Sequence, residues 1–281
     1  MNDIPWPLRA LAALLIVVLT TGWFILLAFP GRTGELFVWP IAPHLSAFML
    51  ASAYAAGTYY WLRVLIGGRW HTIAAGLLPV GLFTTALGLA TALHWGRFDH
   101  GNTGIYLWVA LYATVPFAMP LIWRSSRHRD DGRFEPIDAV VPARSRLLLA
   151  GVGAAQLVTG AALFAFPASF ARVWPWPLTD LTARVTAGWF AWGLVWIVLV
   201  RDPRWSASRI PLEATIVGLV VALVGIGRAR SELDRQRATT WIFVALAAGA
   251  LIALLGFRRT MERRARARPA EGRPLAPGRV R

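Results

Sequence analysis

The chain has 281 residues, of which 57% are hydrophobic and 15% charged, against roughly 45–50% and about 25% in average soluble domains. Cysteine is absent, which excludes disulfides, thiolate zinc sites and cysteine nucleophiles. All 29 basic residues are arginine, which excludes Schiff-base lysines and the lysine of a phosphate-binding P-loop. We attribute the net charge of +15 to membrane loops that face anionic lipid rather than to nucleic-acid binding.

Eight apolar segments are long enough to cross a bilayer, for which a helix needs about 20 residues. They are Leu8–Phe29, Ile41–Ile66, Trp70–Trp95, Gly104–Trp123, Leu147–Phe166, Leu181–Val200, Ser206–Gly227 and Thr239–Phe257. The first segment is longer than the apolar core of a secretory signal, so we expect it to remain as a helix. The sequence therefore predicts an all-α integral membrane protein with eight transmembrane helices.

The arginines are distributed unequally between the two sides that eight alternating spans would create. Of the 29, we place 21 at or near the side that holds both termini and residues 125–144, and eight at the other side. The positive-inside rule then places both termini in the cytoplasm. We predict a multi-pass protein of the bacterial plasma membrane, in contact with the lipid bilayer.

Two halves of the chain share a motif, which predicts two tandem copies of one four-helix unit. Phe29-Pro30 and Trp39-Pro40 recur 137 residues later as Phe166-Pro167 and Trp176-Pro177. Further pairs follow the same order: Trp61 with Trp196, Arg69-Trp70 with Arg204-Trp205, and Trp108 with Trp241. Because each unit has an even number of spans, we expect the copies to lie parallel, unlike the inverted repeats of many transporters.

The charged stretches between and after the apolar blocks suggest where the units begin and end. We predict a first unit at 1–124, a cytoplasmic linker at 125–144, a second unit at 145–258 and a disordered Arg-rich cytoplasmic tail at 259–281. The tail would bind anionic lipid head groups.

Tryptophans near the segment ends are typical of the aromatic belts that anchor helices at membrane interfaces. We assign this role to Trp39, Trp95, Trp174 and Trp176 on the outer side and to Trp6, Trp70, Trp123 and Trp205 on the inner side.

The first unit contains the residues that best fit a ligand cavity. Thr84, Thr91 and His94 follow helical spacing on the third segment and form a polar stripe that runs to its outer end. The alternative is that the threonines only bond to their own helix. Pro116 would free the carbonyl of Tyr112, and freed carbonyls in a membrane need a partner. We predict a cavity in the outer half of residues 41–120, lined by His44, Thr84, Thr91, His94 and Tyr112.

Glu213 is the second candidate, because it lies about 10 Å inside the seventh segment at about 1.5 Å per residue. Ionisable side chains at such depth often mark functional sites. The simpler alternative is an ion pair with Arg209, one helical turn earlier.

Three functions remain open at this stage. The first is binding or transport of a small or lipidic molecule in an outer-leaflet cavity. The second is a non-catalytic accessory or scaffold subunit of a membrane complex with other membrane subunits. The third is a haem- or metal-binding enzyme that uses His44, His94 and His100. Catalysis ranks last and we expect no cofactor, because no nucleophile–base pair or metal motif appears.

Overall fold

Eight long helices make up most of the computed structural model, which describes residues 3–135 and 138–267. They are α1 (Trp6–Ala28), α2 (His44–Ile66), α3 (Ala74–Leu93), α4 (Gly104–Ser126), α5 (Ala143–Ala165), α6 (Asp180–Arg201), α7 (Trp205–Arg228) and α8 (Ala238–Ala267). Within α6, Phe190–Gly193 and Leu199–Arg201 adopt the tighter 3₁₀ form. The described ranges contain no β-strand, so the predicted all-helical class is confirmed.

Seven of these eight helices are long and apolar enough to cross a membrane, as far as the described residues show. The chain is therefore a multi-pass membrane protein by the length and composition of its helices. The exception is α2, which carries Ser46, Ser52, Thr58 and Arg63 among its apolar residues. Thirteen of its 23 residues are buried against neighbouring helices, so its polar side chains find partners within the protein.

The helices pack in two rows. In one row, α1 packs on α2, α2 on α7, and α7 on α8. In the other row, α4 packs on α3, α3 on α6, and α6 on α5. The rows touch where α2 meets α6 and where α3 meets α7. Each half of the chain thus supplies two helices to each row, so the halves interlock and do not form separate bundles.

The two ends of the molecule differ in character. We call the end that holds residues 67–73, 127–135, 138–142 and 202–204 the linker end. The opposite end, with the connections 29–43, 94–103, 166–179 and 229–237, is the Trp-Pro end. At the Trp-Pro end, Trp39 and Trp176 are buried, and at the linker end so are Trp70 and Trp205. These four tryptophans fill the ends of the core and are not the exposed interfacial anchors that we expected, because their rings pack against other aromatic and aliphatic side chains.

The linker between the halves packs on the protein over much of its length. Ala139 and Val141 are buried, and Val141 N–H donates to the carbonyl of Pro203 at 2.8 Å. Arg204 holds the linker by donating to both carboxylate oxygens of Asp130, at 2.7 and 2.6 Å. The carboxylate of Asp138 accepts from the N–H and the hydroxyl of Ser206 at the start of α7.

The start of the predicted disordered tail is helical instead. Helix α8 continues to Ala267, ten residues beyond the end predicted at Phe257. The reason is that Met261 and Ala265, one turn apart, are buried against Trp205, Leu212 and the linker residue Val141. The rest of the predicted tail, 268–281, lies outside the described residues.

Candidate functional site

A slot of about 530 Å³ lies between the two rows of helices. All eight helices contribute to its lining, which is mainly aliphatic and aromatic. The polar exceptions, apart from indole rings, are Thr21, Tyr54, Thr84, Asn102, Tyr112, Gln156 and Thr215. The sequence predicts a cavity in the outer half of residues 41–120, whereas the slot is lined by both halves of the chain because the halves interlock.

Some residues that line the slot are also exposed at the protein surface, and both halves of the chain supply them. In the first half, the lining residues Leu36 and Leu107 are exposed on their outer sides. In the second half, Leu148 and Val152 are exposed in the same way. The slot is therefore not fully enclosed by the helices.

Two tyrosine hydroxyls form the central polar contact of the slot. Tyr112 Oη on α4 lies 2.8 Å from Tyr54 Oη on α2, and both rings line the slot. The sequence analysis identified Tyr112 but missed Tyr54. No local pattern marks Tyr54, because its partner is 58 residues away and the contact depends on how the two helix pairs are placed.

The threonine stripe is only partly at the slot. Thr84 lines it and donates to its own helix, at the carbonyls of Val80 and Gly81. Thr91 is buried, donates to the carbonyl of Leu87 and accepts a hydrogen bond of 2.9 Å from Trp108 Nε1. Thr91 therefore orients an indole that lines the slot.

The two candidate histidines lie at helix ends outside the slot. His94 Nε2 accepts from Arg184 Nη1 at 2.8 Å, so its neutral form carries the proton on Nδ1. Partial burial and then the nearby Arg184 lower the pKa of His94, which favours that neutral form. His44 contacts Glu232, whose carboxylate also accepts from the N–H groups of His44 and Leu45 at the start of α2. Both histidines thus join the two halves at the Trp-Pro end.

The third outer histidine, His100, packs on the Trp95 ring at 4.5 Å between centroids. Across the described ranges, no three His, Asp or Glu side chains are grouped so that they could hold a metal ion. The fold separates the histidines because each interacts with a different partner.

Glu213 lies in an ionic cluster at the linker end, away from the slot. Its side chain is 9% exposed and accepts from Arg63 at 3.0 Å, Arg209 at 3.2 Å and Arg258 at 3.0 Å. Tyr59 donates a further short hydrogen bond to it. The ion pair with Arg209 is thus present, together with three partners that the sequence analysis missed. Arg63 was the available signal, since it lies within an apolar run.

The cluster joins three helices and has a surplus of positive charge. Arg63 and Tyr59 come from α2, Glu213 from α7 and Arg258 from α8. Glu262, one turn beyond Arg258, forms ion pairs with Arg258 at 3.1 Å and Arg209 at 3.4 Å. Glu213 is thus a fully partnered carboxylate that joins the helices of the row α2–α7–α8. These contacts account for its burial without a ligand.

No protein-family model, curated protein or solved structure matches this chain. The function is therefore argued from the geometry of the slot.

Proposed function

We propose that the protein binds a lipidic molecule in the slot between its two rows of helices. The observation that carries the proposal is a cavity of about 530 Å³ with a mainly apolar lining. Pockets for small molecules usually measure about 300–1,000 Å³ and are lined largely by apolar side chains. A long hydrocarbon chain matches both the size and the lining.

Shape is the main source of affinity in such a site. A ligand that enters from the bilayer leaves one apolar medium for another, so burial of its hydrocarbon contributes little by itself. Close packing against rigid rings and the few polar contacts must supply the preference. Trp61, Trp108, Trp189, Trp192 and Trp196 provide such rings along the slot.

Native mass spectrometry of protein extracted in mild detergent tests the proposal. Leu111→Trp adds an indole to the slot wall and should abolish retention of co-purifying lipid or of an added fatty-acid probe. Leu121→Trp is the matched control, since Leu121 is on the same helix, 64% exposed and outside the slot. Equal retention by the wild type and both variants would contradict the proposal.

We further propose that all eight helices span the bilayer, as two tandem parallel repeats. Matching local geometry supports this architecture. Helices α1 and α5 both have 23 residues and begin after a proline. The residues that follow them, Phe29 and Phe166, have φ/ψ values of −128°/51° and −125°/56°.

Equivalent hydrogen bonds recur at the Trp-Pro end, which also supports the repeat. Asp99 N–H donates to Val38 O at 2.9 Å, and Asp234 N–H donates to Pro175 O at 2.8 Å. The side chain of Asn102 donates to Phe37 O, and that of Arg237 donates to Trp174 O. In each case the donors are 135 residues apart and the acceptors 137 residues apart.

One residue pair in the sequence alignment of the halves needs correction. The sequence motif pairs Trp108 with Trp241, but Trp108 is buried and Trp241 is 60% exposed. Trp108 packs on Trp39 at 5.1 Å between centroids, and Phe243 packs on Trp176 at 5.4 Å. Phe243 is thus the counterpart of Trp108, at the same 135-residue offset as the hydrogen bonds.

For location, we propose the bacterial plasma membrane with the linker end in the cytoplasm. The unequal distribution of arginine supports this orientation. Arg259, Arg263, Arg264 and Arg266 at the end of α8 are exposed, which favours contact with anionic lipid head groups.

A further inference from the structure

Tyr54 lies near the middle of α2, and Tyr112 lies about a third of the way along α4. Tyr54 is ten residues from the start of α2 and 12 from its end, or about 15 and 18 Å at about 1.5 Å per residue. The hydrocarbon core of a bilayer is about 30 Å thick. The hydroxyl pair is therefore far from the interface where phospholipid head groups and ester carbonyls lie.

Counting protons shows that the pair retains one free donor. Each tyrosine hydroxyl has one hydrogen, and the contact between Tyr54 and Tyr112 uses only one of the two. Among the described residues, neither hydroxyl has another hydrogen-bond acceptor. An O–H group without an acceptor in hydrocarbon costs several kcal/mol, so a ligand that supplies an acceptor at this point gains affinity.

Two close helix contacts fix the tyrosines in place. A Cβ added at Gly22 on α1 would lie 2.8 Å from the ring of Tyr54. A Cβ added at Gly88 on α3 would lie 2.8 Å from the carbonyl oxygen of Tyr112. Because both positions are glycine, the neighbouring helix packs in direct contact with each tyrosine. These contacts preorganise the hydroxyl pair.

Aromatic rings surround the pair. The Trp108 ring lies 4.3 Å from that of Tyr112, and the Phe83 ring lies 6.4 Å from that of Tyr54. All four side chains line the slot. Flat, weakly polar groups pack well against such rings.

We infer that the ligand of the slot is a neutral lipophilic carbonyl compound, of the long-chain ketone or quinone type, whose carbonyl oxygen accepts a hydrogen bond from the Tyr54–Tyr112 pair. This inference rests on the proposed function. The depth of the pair disfavours phospholipids, since the acceptor must lie in mid-membrane while the rest of the ligand is hydrocarbon. None of the described residues that line the slot is charged, so an anionic head group has no partner among them.

Competition between matched probes tests the inference. A long-chain ketone with its carbonyl at mid-chain and the alkane of equal length would each displace a neutral fluorescent hydrocarbon probe from purified protein in detergent. Wild type should bind the ketone about tenfold more tightly than the alkane, since one hydrogen bond is worth about 1 kcal/mol or more.

The variants separate this hydrogen bond from packing. Tyr54→Phe or Tyr112→Phe alone leaves one hydroxyl, now without its partner, so the ketone preference should persist. Only the double variant should bind the ketone and the alkane about equally, with its affinity for the alkane unchanged. Tyr106→Phe is the control, because Tyr106 is on α4, 73% exposed and outside the slot.

The outcomes are distinct. Equal binding of ketone and alkane by the wild type, or a ketone preference that survives in the double variant, would overturn the carbonyl inference and leave lipid binding intact. Failure of both probes to bind the wild type would overturn the proposed function and this inference together.

Discussion

Arg9 on α1 and Arg146 on α5 each hold the C-terminal end of the next long helix in the chain. Arg9 donates to the carbonyls of Leu65 and Gly67, at 3.4 and 2.7 Å, where α2 ends. Arg146 donates to the carbonyl of Val200 at 2.6 Å, where α6 ends. Terminal carbonyls of a helix lack partners within the helix and carry partial negative charge. An arginine supplies them with hydrogen-bond donors and with positive charge.

Removal of either arginine should therefore destabilise the protein to a similar degree. We expect Arg9→Ala and Arg146→Ala each to cost about 1.5–3 kcal/mol, the usual range for a hydrogen bond to a charged group. Thermal unfolding in detergent, followed by tryptophan fluorescence, measures the effect. Arg32→Ala is the control, since Arg32 forms only an exposed ion pair with Glu35 and should change stability little. A large loss of stability for only one of the two variants would contradict a similar role of the two arginines at the helix ends.

Reporter fusions test the proposed orientation. Fusions after Arg129 and Arg268 should give cytoplasmic signals, and fusions after Gly34, Asn102 and Arg235 should give external signals, because the arginine distribution places the linker end inside. The Arg235 fusion is the most informative, since its loop contains three arginines and directly follows Arg228 at the end of α7. A cytoplasmic signal there would contradict the eight-span topology.

Neutralising Glu213 should destabilise the row α2–α7–α8. Glu213→Gln leaves Arg63, Arg209 and Arg258 close together with only Glu262 to balance them. Breaking a buried ion pair by removing one partner typically costs about 3 kcal/mol or more. We expect a clear fall in the unfolding temperature, whereas Glu35→Gln at an exposed pair should have little effect. Wild-type stability with loss of ligand retention would instead indicate that Glu213 has a functional role.

The contact between Asp130 and Arg204 should make docking of the linker sensitive to acid. Hydrogen bonds from Arg204 lower the pKa of Asp130 below its usual value. Because the folded pKa is depressed, this stabilisation is complete above the unfolded pKa of about 3.9 and is lost as pH falls through the folded pKa. Asp130→Asn should lower the unfolding temperature at pH 7 and reduce its fall below about pH 4.

The neighbouring Asp131 provides the control for that experiment. Its side chain accepts only from the N–H of Arg133 and is exposed. Asp131→Asn should retain the wild-type profile. An Asp130→Asn protein with wild-type stability at pH 7 would show that the ion pair does not hold the linker.

Composition and periodicity predicted the helical class and the approximate positions of all eight long helices, because apolar runs of about 20 residues leave few alternatives. They did not predict which helices are neighbours. Tyr54, Arg63 and Arg258 were missed since each interacts with a residue at least 45 positions away in the sequence. Met261 was assigned to the tail because its burial depends on the docked linker, which a charged composition does not reveal.

An experimental structure of the wild-type protein in lipid nanodiscs would test the proposed function most directly. We expect elongated non-protein density between the rows α1–α2–α7–α8 and α4–α3–α6–α5, in contact with Tyr54 and Tyr112. Leu111→Trp should lack this density, and Leu121→Trp should retain it. Rows that close on each other without a bound molecule, or a slot filled with ordered water, would contradict binding of a lipidic ligand.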